Sequence, residues 1–148
     1  MYSNILVPYD VSPTAERAGK HAIELAETCN GALHGLYVVE SPPDAPQSKT
    51  EEHSTAPSGE QALENLAAQT EDRSINLETH IAEGDPATEI VDFVENTEID
   101  LIVLGTHGRQ GLDRLIVGSV AEEVIRTAPV PVTTLGPVNR SDSESKDQ

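Results

Sequence analysis

Glycines are concentrated in the fifteen residues from Gly105 to Ser119, which directly follow the apolar run 101–104. Glycine tolerates positive φ angles and lets backbone N–H groups approach a bound group closely. After Ser119, apolar residues recur at helical spacing, so the segment ends at a helix N-terminus. Such a terminus attracts phosphate because its first N–H groups have no partner within the helix. The pattern therefore predicts a phosphate site.

A purely structural interpretation of the same segment stays open. Ser119 and Glu122 have the spacing of a capping box, and glycine is common in turns. Arg109, directly after Gly108, has the planar guanidinium that suits outer phosphates, but it also fits a solvated loop cation.

Five apolar runs alternate with four helical patterns along the chain. The predicted strands cover residues 4–7, 33–39, 75–81, 101–104 and 130–135. The predicted helices begin at Pro13, after the cap residue Ser12, at Gly59, at Pro86, after the cap residue Asp85, and at Val120. The second helix is predicted to extend to Arg73. This alternation predicts a doubly wound α/β fold with a five-stranded parallel sheet and helices on both faces. For this fold we expect the strand order 3-2-1-4-5, with an edge strand at each end.

In that order the first and fourth strands are neighbours, and a crevice forms where their carboxyl ends meet. Asp10 follows the first strand closely, and Gly105 follows the fourth. A carboxylate at this point can accept hydrogen bonds from the two hydroxyls of a ribose. Alternatively, Asp10 only accepts from backbone N–H groups where the first helix begins.

Composition restricts the class of protein. The 148 residues carry a net charge of −17 and a single cysteine, which excludes an internal disulfide and a Cys-rich metal site. Such a charge disfavours duplex nucleic acid as a partner and suggests adaptation to high salt. We find neither a membrane-spanning apolar run nor a signal peptide, which favours the cytoplasm. We expect one domain over residues 1–136, with a flexible loop at 41–58 and a disordered polar tail at 137–148.

The glycine spacing resembles the nucleotide signature of the universal stress protein family. Two residues separate Gly105 from Gly108, nine separate Gly108 from Gly118, and Ser119 follows. The segments 5–10, 37–40 and 84–87 also match, so the resemblance covers roughly residues 3–136.

The resemblance implies a Rossmann-like fold of the adenine nucleotide alpha hydrolase type that binds ATP, or ADP or AMP, with Mg²⁺. It also implies a homodimer formed through residues 130–135, although Pro131 limits that ladder. The residues it assigns to the nucleotide are Pro8 and Val38 at adenine, Asp10 at ribose, and Gly105, Gly108, Gly118, Ser119 and Val120 at the phosphates. We add Arg109 to the phosphate contacts because it directly follows Gly108.

Other phosphate-binding classes do not fit the sequence. No Gly-Lys-Ser/Thr motif and no Gly-x-Gly-x-x-Gly after the first strand is present, and the acidic cluster and lysine of a receiver domain are missing. The five histidines lie in separate elements, so we predict no catalytic residue, and no carboxylate cluster identifies a protein ligand for the metal. We expect an ATP-binding stress-response protein that acts through nucleotide-dependent conformation or assembly. The alternatives are a slow ATPase or phosphotransferase and a partner-binding module independent of nucleotide.

Overall fold

The computed structural model describes residues 2–40, 58–107 and 118–137. Within these ranges the strands are β1 (Asn4–Pro8), β2 (Ala32–Val39), β3 (Leu77–Glu83), β4 (Leu101–Gly105) and β5 (Val132–Leu135). The helices are α1 (Pro13–Cys29), α2 (Gly59–Ala68), α3 (Pro86–Glu95) and α4 (Ser119–Thr127). Every strand pair is parallel and the order is β3-β2-β1-β4-β5, which confirms the predicted fold. Of the predicted loop 41–58 and tail 137–148, all but Ser58 and Pro137 lie outside the described residues.

Two hydrophobic cores cover the two faces of the sheet. Alternate residues of β1 point to opposite sides, because side chains alternate along a strand. Ile5 and Val7 pack with the apolar faces of α1 and α2, whereas Leu6 packs with α3 and α4. The helices that follow β1 and β4 therefore lie on opposite faces, as a doubly wound sheet requires.

The helix boundaries follow local capping. Ser12 accepts from the Ala15 N–H at 3.3 Å, and Asp85 accepts from the Thr88 N–H at 3.1 Å, so both predicted N-caps are confirmed. Each is followed by proline, whose fixed φ suits the first helical position. Asn30 adopts φ 57° and ends α1 in the left-handed conformation.

Several predicted boundaries were wrong. Strand β3 covers Leu77–Glu83 instead of residues 75–81, and α4 begins at Ser119 instead of Val120. Helix α2 ends at Ala68 instead of Arg73, because the N–H groups of Gln69 and Thr70 bond carbonyls three residues back and tighten the last turn. Strand β5 begins at Val132, so Pro131 precedes the strand instead of lying inside it. The Pro131 carbonyl still accepts from the Ile102 N–H at 3.0 Å, a bond that needs no donor from proline.

The pairing between β1 and β4 is shorter than the pairing between β1 and β2. The progression of strands across the sheet changes direction between β1 and β4. Strand β1 pairs with β2 over five positions, from Asn4 to Pro8, but with β4 over only two, Ile5 and Leu6. No β1–β4 pair beyond Leu6 and Ile102 is present in the described residues, and this is where a doubly wound sheet forms its crevice. In the part of the chain that the structure describes, no helix is long and apolar enough to cross a membrane.

Candidate functional site

Asp10 begins a strained turn between β1 and α1. One carboxylate oxygen accepts from the Ser12 N–H at 3.0 Å, so the expected local hydrogen bond is present. The second carboxylate oxygen of Asp10 can still accept hydrogen bonds from ribose hydroxyls, so the ribose contact is compatible with the bond to Ser12. Val11 between them has φ 57°, a conformation that costs about 1–2 kcal/mol in an L-residue. Contact of its side chain with the core beneath α1 offsets that cost.

The end of β4 is joined to the start of α1 by a pair of hydrogen bonds. The Thr14 hydroxyl donates to the His107 carbonyl at 2.5 Å and accepts from the His107 N–H at 3.2 Å. The Ser12 hydroxyl lies 3.4 Å from the same carbonyl. These contacts join segments 93 and 95 residues apart in the sequence at the crevice.

Position 105 has no room for a side chain, because the start of α1 packs closely against it. A Cβ at this position would lie 2.5 Å from the Thr14 hydroxyl oxygen and 2.8 Å from the Ala15 nitrogen. Both distances are too short for any side chain, so close packing requires glycine here. The predicted phosphate contact of its N–H stays a prediction.

Helix α4 begins at the same crevice. Gly118 is its N-cap, and the Gly118 N–H donates to the Thr106 carbonyl at 2.7 Å. Ser119 and Val120 are the first helical residues, so their N–H groups lie at the positive end of the helix dipole. The capping-box alternative for Ser119 was wrong. The Gly118 carbonyl accepts the first helical bond, from the Glu122 N–H at 3.0 Å, which places Ser119 one residue inside the helix.

The two residues predicted at adenine occupy the ends of β1 and β2. Pro8 is half-buried and pairs with Leu36, and Val38 is half-buried and packs against the core beneath α3 and α4. The structure therefore places Pro8, Asp10, Gly105, Gly118, Ser119 and Val120 around the crevice or its rim, and Val38 on the neighbouring strand. Gly108 and Arg109 lie outside the described residues.

Tyr9 links the turn between β1 and α1 to helix α2. Its side chain is 2% exposed, its hydroxyl donates to Asn65 Oδ1 at 2.5 Å, and Gln69 Nε2 donates to it at 3.2 Å. Burial raises the pKa of the Tyr9 phenol, and the nearby carboxylates of Glu16 and Asp10 raise it further. Tyr9 is thus a neutral structural link between the turn and α2.

His107 is buried, with Nδ1 2.7 Å from the Thr106 hydroxyl oxygen.

A shallow groove of about 230 Å³ lies elsewhere, between α3 and α4. Its lining includes Asp92, Glu95 and Glu123, a charge that disfavours phosphate.

One cluster was not predicted from the sequence. His34 of β2 lies beside Glu78 and His80 of β3, although the two histidines are in separate elements. The missed signal is the pair Glu78-x-His80, which shares one face of a strand because side chains alternate. Only the β2–β3 register could bring His34 to them.

The family can now be assigned from comparison with known proteins. Residues 1–135 match the model of the Universal stress protein family. The chain belongs to this family. It is 37% identical over 137 residues to a universal stress protein of Methanocaldococcus jannaschii, covering 89% of this chain and 81% of the relative.

Solved structures agree on the fold. The structure of the M. jannaschii protein MJ0577, another universal stress protein, is similar with a TM-score of 0.79 at 30% identity, covering 94% of this chain and 99% of the other. An Arabidopsis thaliana family member with AMP bound has a TM-score of 0.71 at 20% identity, covering 94% of each chain. Further members of the family form complexes with dAMP and with cAMP. At these lower identities the likeness supports the fold alone.

Proposed function

We propose that this chain binds an adenine nucleotide in the crevice between β1 and β4. The main support is a continuous set of hydrogen bonds. It runs from Asp10 through Ser12 to His107, and from the adjoining Thr106 to Gly118. These bonds bring the Asp10 carboxylate and the start of α4 to the same crevice. A ribose hydroxyl suits the first group, and a phosphate suits the second.

The phosphates are assigned to the N–H groups at the start of α4. Gly118 has no side chain to fill the cap position, and Ser119 adds a hydroxyl one residue on. The proposed site also includes the predicted contacts of Gly105, Gly108 and Arg109. In a protein of net charge −17, a bound Mg²⁺ reduces repulsion of the phosphates, and magnesium commonly relies on few protein ligands.

We propose ATP as the physiological nucleotide, with ADP and AMP as the competing possibilities. Binding of adenine nucleotides by other family members supports the nucleotide class. The protein acts in the stress response through nucleotide-dependent conformation or assembly, without appreciable turnover. The groups considered for proton transfer are His107, whose Nδ1 already lies 2.7 Å from the Thr106 hydroxyl oxygen, and Asp113, which lies outside the described residues.

The proposed assembly is a cytoplasmic homodimer formed along β5. This strand is at the edge of the sheet, and Val132 and Leu135 are only half-buried. An edge strand presents backbone groups that a second copy can pair. Sedimentation in molar salt, with and without Mg-ATP, tests this; a monomer under both conditions contradicts it.

Titration calorimetry of nucleotide-stripped protein tests the binding proposal. Mg-ATP, ADP and AMP are compared for the wild type and for Asp10→Asn, which keeps an oxygen for the Ser12 N–H but removes the charge. Loss of one charge-assisted hydrogen bond, about 1.5–3 kcal/mol, predicts roughly 10- to 100-fold weaker binding. Asp92→Asn on the exposed surface of α3 is the matched control and should bind normally. Folded wild type that takes up none of the three nucleotides contradicts the proposal.

A further inference from the structure

His34, Glu78 and His80 form a compact group on the side of the sheet that α3 covers. His34 and Glu78 are register partners across the β2–β3 ladder, and His80 is two residues further along β3. All three side chains therefore project from the same face. The group lies beside Phe93 of α3. His34 and Glu78 are near the amino-terminal ends of β2 and β3, whereas the crevice forms at the carboxyl ends of β1 and β4.

The spacing of the donor atoms fits a tetrahedral metal ion. His34 Nδ1 lies 3.4 Å from His80 Nε2, and Glu78 Oε1 lies 3.8 Å and 3.9 Å from those two nitrogens. Ligands about 2.0–2.1 Å from a tetrahedral ion are about 3.3–3.4 Å apart. The two nitrogens already have this separation, and the carboxylate needs to move by only about 0.5 Å to reach it.

A neighbouring side chain orients the first ligand. His34 Nε2 lies 3.2 Å from Asn4 Oδ1, which can accept only if Nε2 carries the proton. The lone pair of Nδ1 then faces His80 and Glu78. Histidine ligands commonly donate their second ring nitrogen in this way.

The group is open on one side and apolar on the other. The His34 side chain is 13% exposed, His80 33% and Glu78 55%, so water can occupy a fourth ligand position. The Phe93 ring lies 4.7 Å from the His80 ring, which limits the movement of that imidazole. The largely buried His34, the His80 ring beside Phe93 and the exposed Glu78 carboxylate form a donor set that an ion can reach from solvent.

We propose that His34, His80 and Glu78 bind a divalent transition-metal ion of the Zn²⁺ type, with solvent as the fourth ligand. Two imidazole donors favour zinc and its neighbours over magnesium and calcium, which prefer oxygen ligands. The site is independent of the proposed nucleotide site, because it shares none of the residues assigned there.

Titration of the full chain, stripped by chelator and free of nucleotide, tests the site. Zn²⁺ binding is measured by calorimetry and Co²⁺ binding by visible absorption, in molar NaCl with excess Mg²⁺ to suppress binding to scattered carboxylates. We expect one ion per chain and a tetrahedral Co²⁺ spectrum. His80→Gln and Glu78→Gln should each weaken binding more than the roughly 10- to 100-fold that loss of an orienting group costs.

Two further variants distinguish zinc binding at this cluster from zinc binding elsewhere on the protein. Asn4→Ala removes the carboxamide whose oxygen orients His34 but none of the proposed ligands, and it should weaken binding roughly 10- to 100-fold. His21→Gln removes an imidazole on α1 and should bind as the wild type does. Circular dichroism checks that each variant folds, and Glu78 is exposed enough for its replacement to leave the fold intact. Absence of Zn²⁺ binding in the wild type, or equal binding by wild type, His80→Gln and Glu78→Gln, overturns the proposal.

Discussion

Replacement of Gly118 by alanine tests whether the start of α4 is held by close packing. An added Cβ would lie 2.8 Å from the Thr106 carbonyl oxygen, roughly 0.6 Å inside ordinary van der Waals contact. The backbone angles of Gly118, φ −63° and ψ 155°, are allowed for alanine, so the effect is steric and not conformational. To relieve the overlap, the start of α4 must move away from Thr106.

That movement has two measurable consequences. It lengthens the 2.7 Å hydrogen bond from the Gly118 N–H to Thr106, whose loss costs about 1 kcal/mol. For a domain of this size, that lowers the melting temperature by roughly 4 °C. It also displaces the N–H groups of Ser119 and Val120 from the crevice. Loss of one bond to a charged phosphate, about 1.5–3 kcal/mol, predicts roughly 10- to 100-fold weaker Mg-ATP binding.

Gly136→Ala is the matched control. Its Cβ would meet the same residue, Thr106, but at 3.6 Å from the hydroxyl oxygen, which is an ordinary contact. Calorimetry and thermal melting are run on wild type and both variants. We expect binding to fall for Gly118→Ala and to stay unchanged for Gly136→Ala. Unchanged melting and unchanged binding in Gly118→Ala would refute the steric reasoning, and equal losses in both variants would refute its placement at Gly118.

Three further predictions concern the fold. Gly105→Ala should cost roughly 1–3 kcal/mol in urea denaturation, because its Cβ would strike Thr14. Tyr9→Phe should cost about 1 kcal/mol through the lost bonds to Asn65 and Gln69. In the folded protein the pKa of the Tyr9 phenol is raised above 10.0. The stability that this neutral phenol contributes is therefore complete below about pH 10 and is lost as pH rises through the folded pKa. Tyr9→Phe should lack this loss of stability at alkaline pH. Raising NaCl to molar concentration should raise the melting temperature by screening the net charge of −17, and a fall in melting temperature would contradict this.

Local patterns were sufficient for the order and type of the elements. Ser12 and Asp85, each followed by proline, mark helix starts because capping depends on neighbours within three residues. The burial of β1 and β4 on both faces is visible as continuous apolar runs. Together with the resemblance, these patterns predicted the strand order and the convergence of Asp10 with the end of β4.

The sequence by itself therefore determined the fold and which segments meet at the crevice, because helix caps and apolar periodicity are local properties. Only the tertiary structure decided how close the segments lie. The pairing of Thr14 with His107, the requirement for glycine at 105 and the cap at Gly118 depend on distances between distant parts of the chain. The grouping of His34 with His80 likewise depends on strand register, and a shift of one residue would turn one histidine to the opposite face.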